Sequence, residues 1–484
     1  MESKCLVRIM KTTICNFKNV NFGEVKYRNY GCIEKTASIE HADIVGVYGQ
    51  NGSGKTALVE AMDILKYILS GMEIPYSIYE GILSKELPVC ISTVFFIEKD
   101  GDKYKVQYDA YIRADDEKEK IEVYKEKITY WLRGTSWKAE RDIEFVNPYY
   151  ETDDIMEQRI LTVISKNINK LNEIEFLHSM QNLAIYCSQR NISVFFNQQV
   201  LKSLSNTKGE EAQNLYHVLS ALYHFANMDL HVIKVSQLGD INKNKVIPLN
   251  VHYETETSIM QGCLPLFING QGELPESLFD LSLAMMNAIN IAIRSIIPNL
   301  QIDMERKLII EKEDGKRYVQ VEVYSNRNGK RFLIRYESEG IKRIISILNY
   351  LISVYNHASV CLVVDEMDSG IFEYLLGELL GMMHEEMKGQ LIFTSHNLRV
   401  LEKFDTKNII CSTTNPNNRY IRLSGIGNNN NKRDFYIRAI TVGGQKEELY
   451  EEDDLISMGY AFRKAGRVHN DIEIPFSNEL EKNL

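Results

Sequence analysis

The residues with chemistry to offer stand in one run near the N-terminus. They are Gly49-Gln50-Asn51-Gly52-Ser53-Gly54-Lys55-Thr56, a Gly-x4-Gly-Lys-Thr pattern. Glycines at these spacings let successive backbone N–H groups turn toward one anion, and a helix begun there adds the positive end of its dipole. The lysine reaches the β- and γ-phosphate oxygens of a nucleotide, and the hydroxyl that follows belongs in a Mg2+ shell. Gly49, Asn51, Gly52, Ser53, Gly54, Lys55, Thr56 and Ala57 are therefore the candidate phosphate-binding residues. The flanks provide the required setting. Ile44-Val45-Gly46-Val47-Tyr48 reads as a strand, and Leu58, Met62, Leu65 and Leu69 recur at helical spacing.

A second set of groups stands far along the chain. Ser359-Val360-Cys361-Leu362-Val363-Val364 is an apolar run of strand length that ends in Asp365-Glu366. An aspartate at such a strand tip can hold the Mg2+ shell, and the next carboxylate can orient and deprotonate an attacking water. Asp365 takes the first role and Glu366 the second. Another apolar strand, Gln390–Thr394, ends in Ser395-His396-Asn397, where His396 can hydrogen-bond the γ-phosphate. Lys55, Glu366 and His396 are thus the candidate catalytic residues, with Thr56 and Asp365 as metal ligands. Glu337-Ser338-Glu339-Gly340 precedes an amphipathic helix carrying Ile341, Ile344, Ile345, Leu348, Leu351 and Ile352. Ser338 is a good N-cap by type, and a Ser-x-Gly helix start is also an anion site. Since the phosphate loop already occupies one end of the nucleotide, a second phosphate-binding helix end suggests a nucleotide sandwiched between two subunits.

The elements that must position these groups divide the chain into four spans. Residues 1–135 read as an N-terminal lobe with two strands between Val7 and Val25 turning at Phe22-Gly23-Glu24. A hairpin follows, Val89–Ile97 and Tyr104–Ile112, joined through Asp100-Gly101. Residues 136–300 read as an inserted, mainly helical domain from about Asp153 to Asp229, followed by a mildly basic loop around Lys243 and Lys245 and a helix from Pro275 to Ile296. Residues 301–425 resume as a three-stranded meander, with turns at Asp314-Gly315 and Asn328-Gly329, and then the second set of groups. Residues 426–484 form an appendage, opened by the loop tip Asn428–Asn431.

At 484 residues two or more domains are expected, and 44% apolar with 25% charged residues is the composition of a soluble globular protein. The net charge of −10 argues against a nucleic-acid coat held by bulk charge. Eight scattered cysteines without zinc-site spacing read as reduced core thiols. With no membrane-length apolar run and no leader-like N-terminus, a cytoplasmic protein without membrane contact is expected.

The order of phosphate loop, Ser338-Glu339-Gly340, Val363-Val364-Asp365-Glu366-Met367-Asp368-Ser369-Gly370 and Phe393-Thr394-Ser395-His396-Asn397 resembles the ABC-type ATPases. Within them it looks like the heads of SMC-like and OLD-like proteins, grouped with bacterial AAA-type ATPases of anti-phage systems such as PARIS, Septu and abortive-infection loci. The opening Ile14-Cys15-Asn16-Phe17-Lys18-Asn19 is similar to the first strand of such heads. The resemblance implies an α/β fold, an ABC/SMC-like P-loop head with a mixed sheet, flanking helices and an antiparallel meander. It makes Ser338 and Gly340 a signature acting in trans, Asp368 the D-loop and His396 the switch histidine. ATP and Mg2+ are the implied cofactors, and a second copy of the chain, in a head-to-tail dimer or an oligomer of dimers, the implied partner. A separate effector such as a nuclease would then be controlled by this chain.

Three departures stand out. The signature lacks Leu-Ser-Gly-Gly-Gln, the Q-loop glutamine is unassigned between Gln107 and Gln158, and the insertion lacks the heptads of a coiled-coil arm. About seventy residues follow the last ATPase strand, too few for the Toprim nuclease of many OLD-like relatives. Two other functions stay open: a DNA-maintenance ATPase that binds nucleic acid through basic loops, and a self-contained RNase using Arg463 and His469 of the tail.

Overall fold

Every residue of the strand that feeds the phosphate loop, Asp43–Tyr48, is buried. A computed structural model describes this strand and its surroundings over residues 5–83, 87–138, 141–146, 186–187, 189–235, 246–254, 259–267, 272–312, 315–425, 431–451 and 455–468. The chain opens with β1 (Cys5–Phe17) and β2 (Val20–Lys26), then runs through β3 (Asp43–Tyr48) into the helix Lys55–Leu69. β4 (Val89–Lys99), β5 (Asp102–Asp115), β6 (Lys120–Leu132) and β7 (Arg141–Val146) follow as a meander. After the helices Gln198–Asn206 and Glu210–His224 come β8 (Leu230–Ile233), β9 (Val246–Glu254), β10 (Ile259–Phe267) and β11 (Gly272–Pro275). The helix Glu276–Ile296 leads into β12 (Leu300–Glu311), β13 (Arg317–Arg327) and β14 (Lys330–Leu333). The helix Glu339–Asn356 then precedes β15 (Cys361–Val364), and the helix Glu373–Glu386 joins it to β16 (Gln390–Thr394). β17 (Ile409–Ser412), β18 (Tyr420–Ile421) and the helices Lys432–Thr441 and Leu455–Val468 complete the described chain.

These strands form two six-stranded sheets, a smaller antiparallel sheet of β11 to β14 and the hairpin β9-β10. One large sheet is antiparallel, in the order β2-β1-β4-β5-β6-β7. The other has the order β18-β17-β3-β16-β15-β8, and all its neighbours run parallel except β17 and β18. Register matters here for the chemistry. Val47 of β3 lies opposite Thr394 of β16, and Phe393 lies opposite Val364 of β15. The carboxyl ends of three strands therefore share one edge, which brings Gly49, Asp365 and Ser395 together. The architecture is the expected α/β one.

Two sequence expectations change. The bend between the first two strands falls at Lys18-Asn19, with Phe17 paired to Val20, so Phe22-Gly23-Glu24 lies inside β2. Gly23 marks a close approach instead of a turn, since a Cβ there would sit 2.5 Å from the Tyr420 ring. The span 136–300, expected as an inserted, mainly helical domain, also carries strands, and β7, β8 and β11 pair with strands outside it. β8 is the edge strand of the parallel sheet, and β11 pairs with β13. The helix Glu210–His224 buries Leu215, Val218, Leu219 and Leu222 in the same core as Phe95 and the Lys55 helix. Its apolar stripe has a ready surface on the antiparallel sheet, where Phe95 and Phe225 meet edge-on at 6.3 Å. Residues 153–185 of the expected helical stretch, Lys243, Lys245 and Asn428–Asn430 lie outside the described residues.

Burial of the cysteines is mixed. Cys187, Cys361 and Cys411 are core thiols, but Cys5, Cys15, Cys32 and Cys90 are only partly buried. Among the described residues no helix is long and apolar enough to cross a membrane.

Candidate nucleotide site

The phosphate loop leaves β3 through glycines whose conformations other residues resist. Gly54 has φ +89 and no side-chain cap follows it, so the first N–H groups of the helix Lys55–Leu69 stay open to an anion. At Gly49 a Cβ would lie 2.0 Å from the Ser412 hydroxyl. Lys55 is 6% exposed and its ammonium donates to the carbonyls of Gly49 (2.8 Å) and Gln50 (2.9 Å), which folds it over the loop. Burial lowers the Lys55 pKa, and the charges of Asp365, Glu366 and Asp368 act in the opposite direction.

Asp365 is 1% exposed at the tip of β15. Its Oδ1 accepts from the Thr394 hydroxyl at 2.6 Å and from the Thr56 hydroxyl at 3.4 Å. Oδ2 is buried without a hydrogen-bond partner. A bare carboxylate oxygen beside a threonine hydroxyl is a hard-oxygen donor set, the kind that fits Mg2+. Glu366 adopts φ +45, rare for a side-chain-bearing residue, and its N–H donates to the Thr394 hydroxyl at 2.8 Å. Thr394 thus fixes both acids, a role sequence pattern alone did not assign. The His396 N–H donates to Asp368 at 3.0 Å. Burial, helped by the Lys55 charge, lowers the His396 pKa and favours the neutral ring.

One cavity of about 820 Å3 collects these groups: Asn51, Lys55, Thr56, Glu366 and His396 on one side, Lys18, Asn19 and Ile82 on the other. Ser338 and Gly340 do not line it. Ser338 is exposed, and its hydroxyl accepts from the Ile341 N–H at 3.4 Å as an ordinary N-cap. Gly340 is packed against Gly370, where a Cβ would lie 2.2 Å from the Gly370 carbonyl. Arg343, one turn into that helix, is 3% exposed and donates to the Asp365 carbonyl at 3.4 Å. Desolvation lowers its pKa to about 10 against the pull of Asp365, Glu366 and Asp368. It links the serine-glycine helix to the acids, and no motif pointed to it.

Long-range contacts supply the rest of the site. The Tyr420 hydroxyl donates to the Gly54 carbonyl at 2.7 Å, Asn19 donates to the Gly52 carbonyl, and the Gln50 side chain accepts from the Glu451 N–H at 3.1 Å. Gln107, in β5, donates to Asp109 (3.0 Å) and Ser92 (3.4 Å) within the antiparallel sheet and does not line the cavity. Gln158 and His469 lie outside the described residues, while Arg463 is exposed on the helix Leu455–Val468.

A family model described as "AAA domain, putative AbiEii toxin, Type IV TA system" matches residues 44–167, the stretch that begins with β3 and the phosphate loop. Within that stretch the chain has the buried strand, glycine-rich loop and helix of a phosphate loop. No curated protein matches it. Among solved structures it is similar to an SMC head bound to the C-winged helix domain of ScpA, at 12% identity and TM-score 0.36 over 86% of this chain and 97% of that one. The SMC head domain from Thermotoga maritima gives 13%, 0.35, 86% and 100%. An SMC head with an extended coiled coil, bound to the C-terminal domain of ScpA from Pyrococcus furiosus, gives 13%, 0.37, 87% and 97%.

Proposed function

We propose that the chain binds and hydrolyses ATP, and that two copies close head to tail around two ATP molecules to control a partner protein. The observation that carries the reading is the convergence of Lys55, Thr56, Glu366 and His396 on one cavity from segments more than three hundred residues apart. In this reading the open N–H groups of the Lys55 helix and the Lys55 ammonium hold the phosphates, and Lys18, Asn19 and Ile82 wall the nucleoside side. Thr56 and Asp365 would hold Mg2+, which when bound would neutralise phosphate charge. Glu366, aimed into the cavity by its left-handed backbone, orients and deprotonates the attacking water. His396, neutral at physiological pH, donates to the γ-phosphate.

The exposed Ser338 end, which its own cavity does not use, is the natural cover for a second copy's phosphates, with Asp368 at the seam. ATP would then bind the closed pair preferentially and shift its population. The matching family model is described as a putative toxin of a toxin–antitoxin system; on the sequence resemblance, the setting proposed is defence, with the chain sensing infection and governing an effector such as a nuclease.

Light scattering on the Glu366→Gln protein tests the reading. ATP should convert it from monomer to dimer, while Lys55→Ala should stay monomeric. A Glu366→Gln protein whose mass does not respond to ATP contradicts closure.

A further inference from the structure

Away from the nucleotide cavity, Cys32, Glu40 and His41 bring a thiol sulfur, a carboxylate oxygen and an imidazole nitrogen within 4.8 Å of one another. We propose that these three residues bind a zinc-class divalent ion. One thiolate, one imidazole and one carboxylate form a donor set that suits Zn2+ far better than Mg2+ or Ca2+. Thiolate and carboxylate together balance the charge of the ion. All three side chains are partly or fully exposed, so a fourth, open position falls to water.

The surroundings hold two of the donors in place. Asn29, 1% exposed, stands at the N-cap position of the helix Tyr30–Thr36 but makes no side-chain cap there. It spends its amide on the ligand segment instead: Oδ1 accepts from the Glu40 N–H (3.2 Å) and the His41 N–H (3.1 Å), and Nδ2 donates to the His41 carbonyl (2.9 Å). The Thr36 and Ser38 hydroxyls both donate to Oε1 of Glu40, at 3.3 and 3.2 Å, leaving Oε2 clear of them. Outer contacts of this kind orient metal ligands and tune affinity. The helix supplies Cys32, the clamped segment supplies Glu40 and His41, and β3 begins two residues later. An ion here would brace the entry to the strand that carries the phosphate loop.

The test uses the full-length chain stripped with a chelator and titrated with Co2+, then displaced by Zn2+, without nucleotide. One Co2+ per chain should bind with a thiolate-to-cobalt charge-transfer band. Cys32→Ser should abolish the band, and His41→Ala should weaken binding by about tenfold or more. Zn2+ should also protect Cys32 from alkylation, read peptide by peptide. No band in the unmodified chain, or a band that survives Cys32→Ser, overturns the assignment. Neither result bears on the ATPase reading, because no step of the assay involves ATP.

Discussion

Two helix starts in this molecule are built for opposite purposes. The helix Lys55–Leu69 has no side-chain cap, its N-terminus opens into a cavity, and the groups around it are buried. The helix Glu339–Asn356 is capped by its own Ser338, stands exposed, and faces none of the chain's own nucleotide cavity. The first is finished within one copy. The second is tied, through Gly340 against Gly370 and Arg343 against Asp365, to the back of the same acids. A capped and exposed helix end, linked to the strand that leads into Asp365 and Glu366, is what the proposed head-to-tail pairing would use.

The contrast can be broken in order of effect. Glu366→Gln should cut ATP turnover by about 100- to 10,000-fold while nucleotide binding persists, measured as phosphate release against fluorescent-nucleotide binding. A fall of less than about tenfold would remove Glu366 from the base role.

Ser338 offers the sharpest separation. Ser338→Asp preserves an N-cap but sets a negative charge against the neighbour's phosphates, so it should abolish ATP-driven closure with unchanged thermal stability. Ser338→Ala should cost about 1 kcal/mol of stability through the lost cap. If the aspartate variant closes normally, the helix end is structural only.

Gly340→Ala should destabilise by about 1–3 kcal/mol, because the new methyl meets the Gly370 carbonyl, and denaturant unfolding measures it.

The smallest effect concerns pH. The His396 pKa is lowered in the folded chain, so below the ordinary imidazole value the unfolded chain binds more protons there than the folded one. Stability from this group is present above that value and is lost as pH falls through it. His396→Gln should therefore show a smaller drop in unfolding midpoint between about pH 7.5 and about pH 5.5 than the unmodified chain.

The sequence spoke clearly where structure is local. The phosphate loop, the Asp100-Gly101 hairpin, the meander over β12 to β14 and the strands ending at Asp365 and Thr394 all follow from runs of a dozen residues or fewer, in which periodicity and turn chemistry suffice. It was mute where distant segments meet. Gly23 looked like a turn because nothing nearby announces Tyr420, about four hundred positions on. β8 is four residues long and gains its place only by pairing with β15. Thr394 and Arg343 act through register and burial, which no motif encodes. Cys32, Glu40 and His41 escape a spacing search because a short helix supplies the first and a segment clamped by Asn29 supplies the other two.

Subunit mixing tests the central claim most directly. Lys55→Ala spoils one copy's cradle and Ser338→Asp spoils the other copy's serine-glycine end, so each protein alone should be inactive. In a mixed pair the sound cradle of the second faces the sound helix end of the first. Equal mixing should recover ATP turnover, up to about a quarter of the unmodified rate, since about half of random encounters bring unlike copies together and each such pair holds one intact site of two. No recovery at any ratio, or full turnover by Ser338→Asp alone, would contradict a nucleotide shared between two copies.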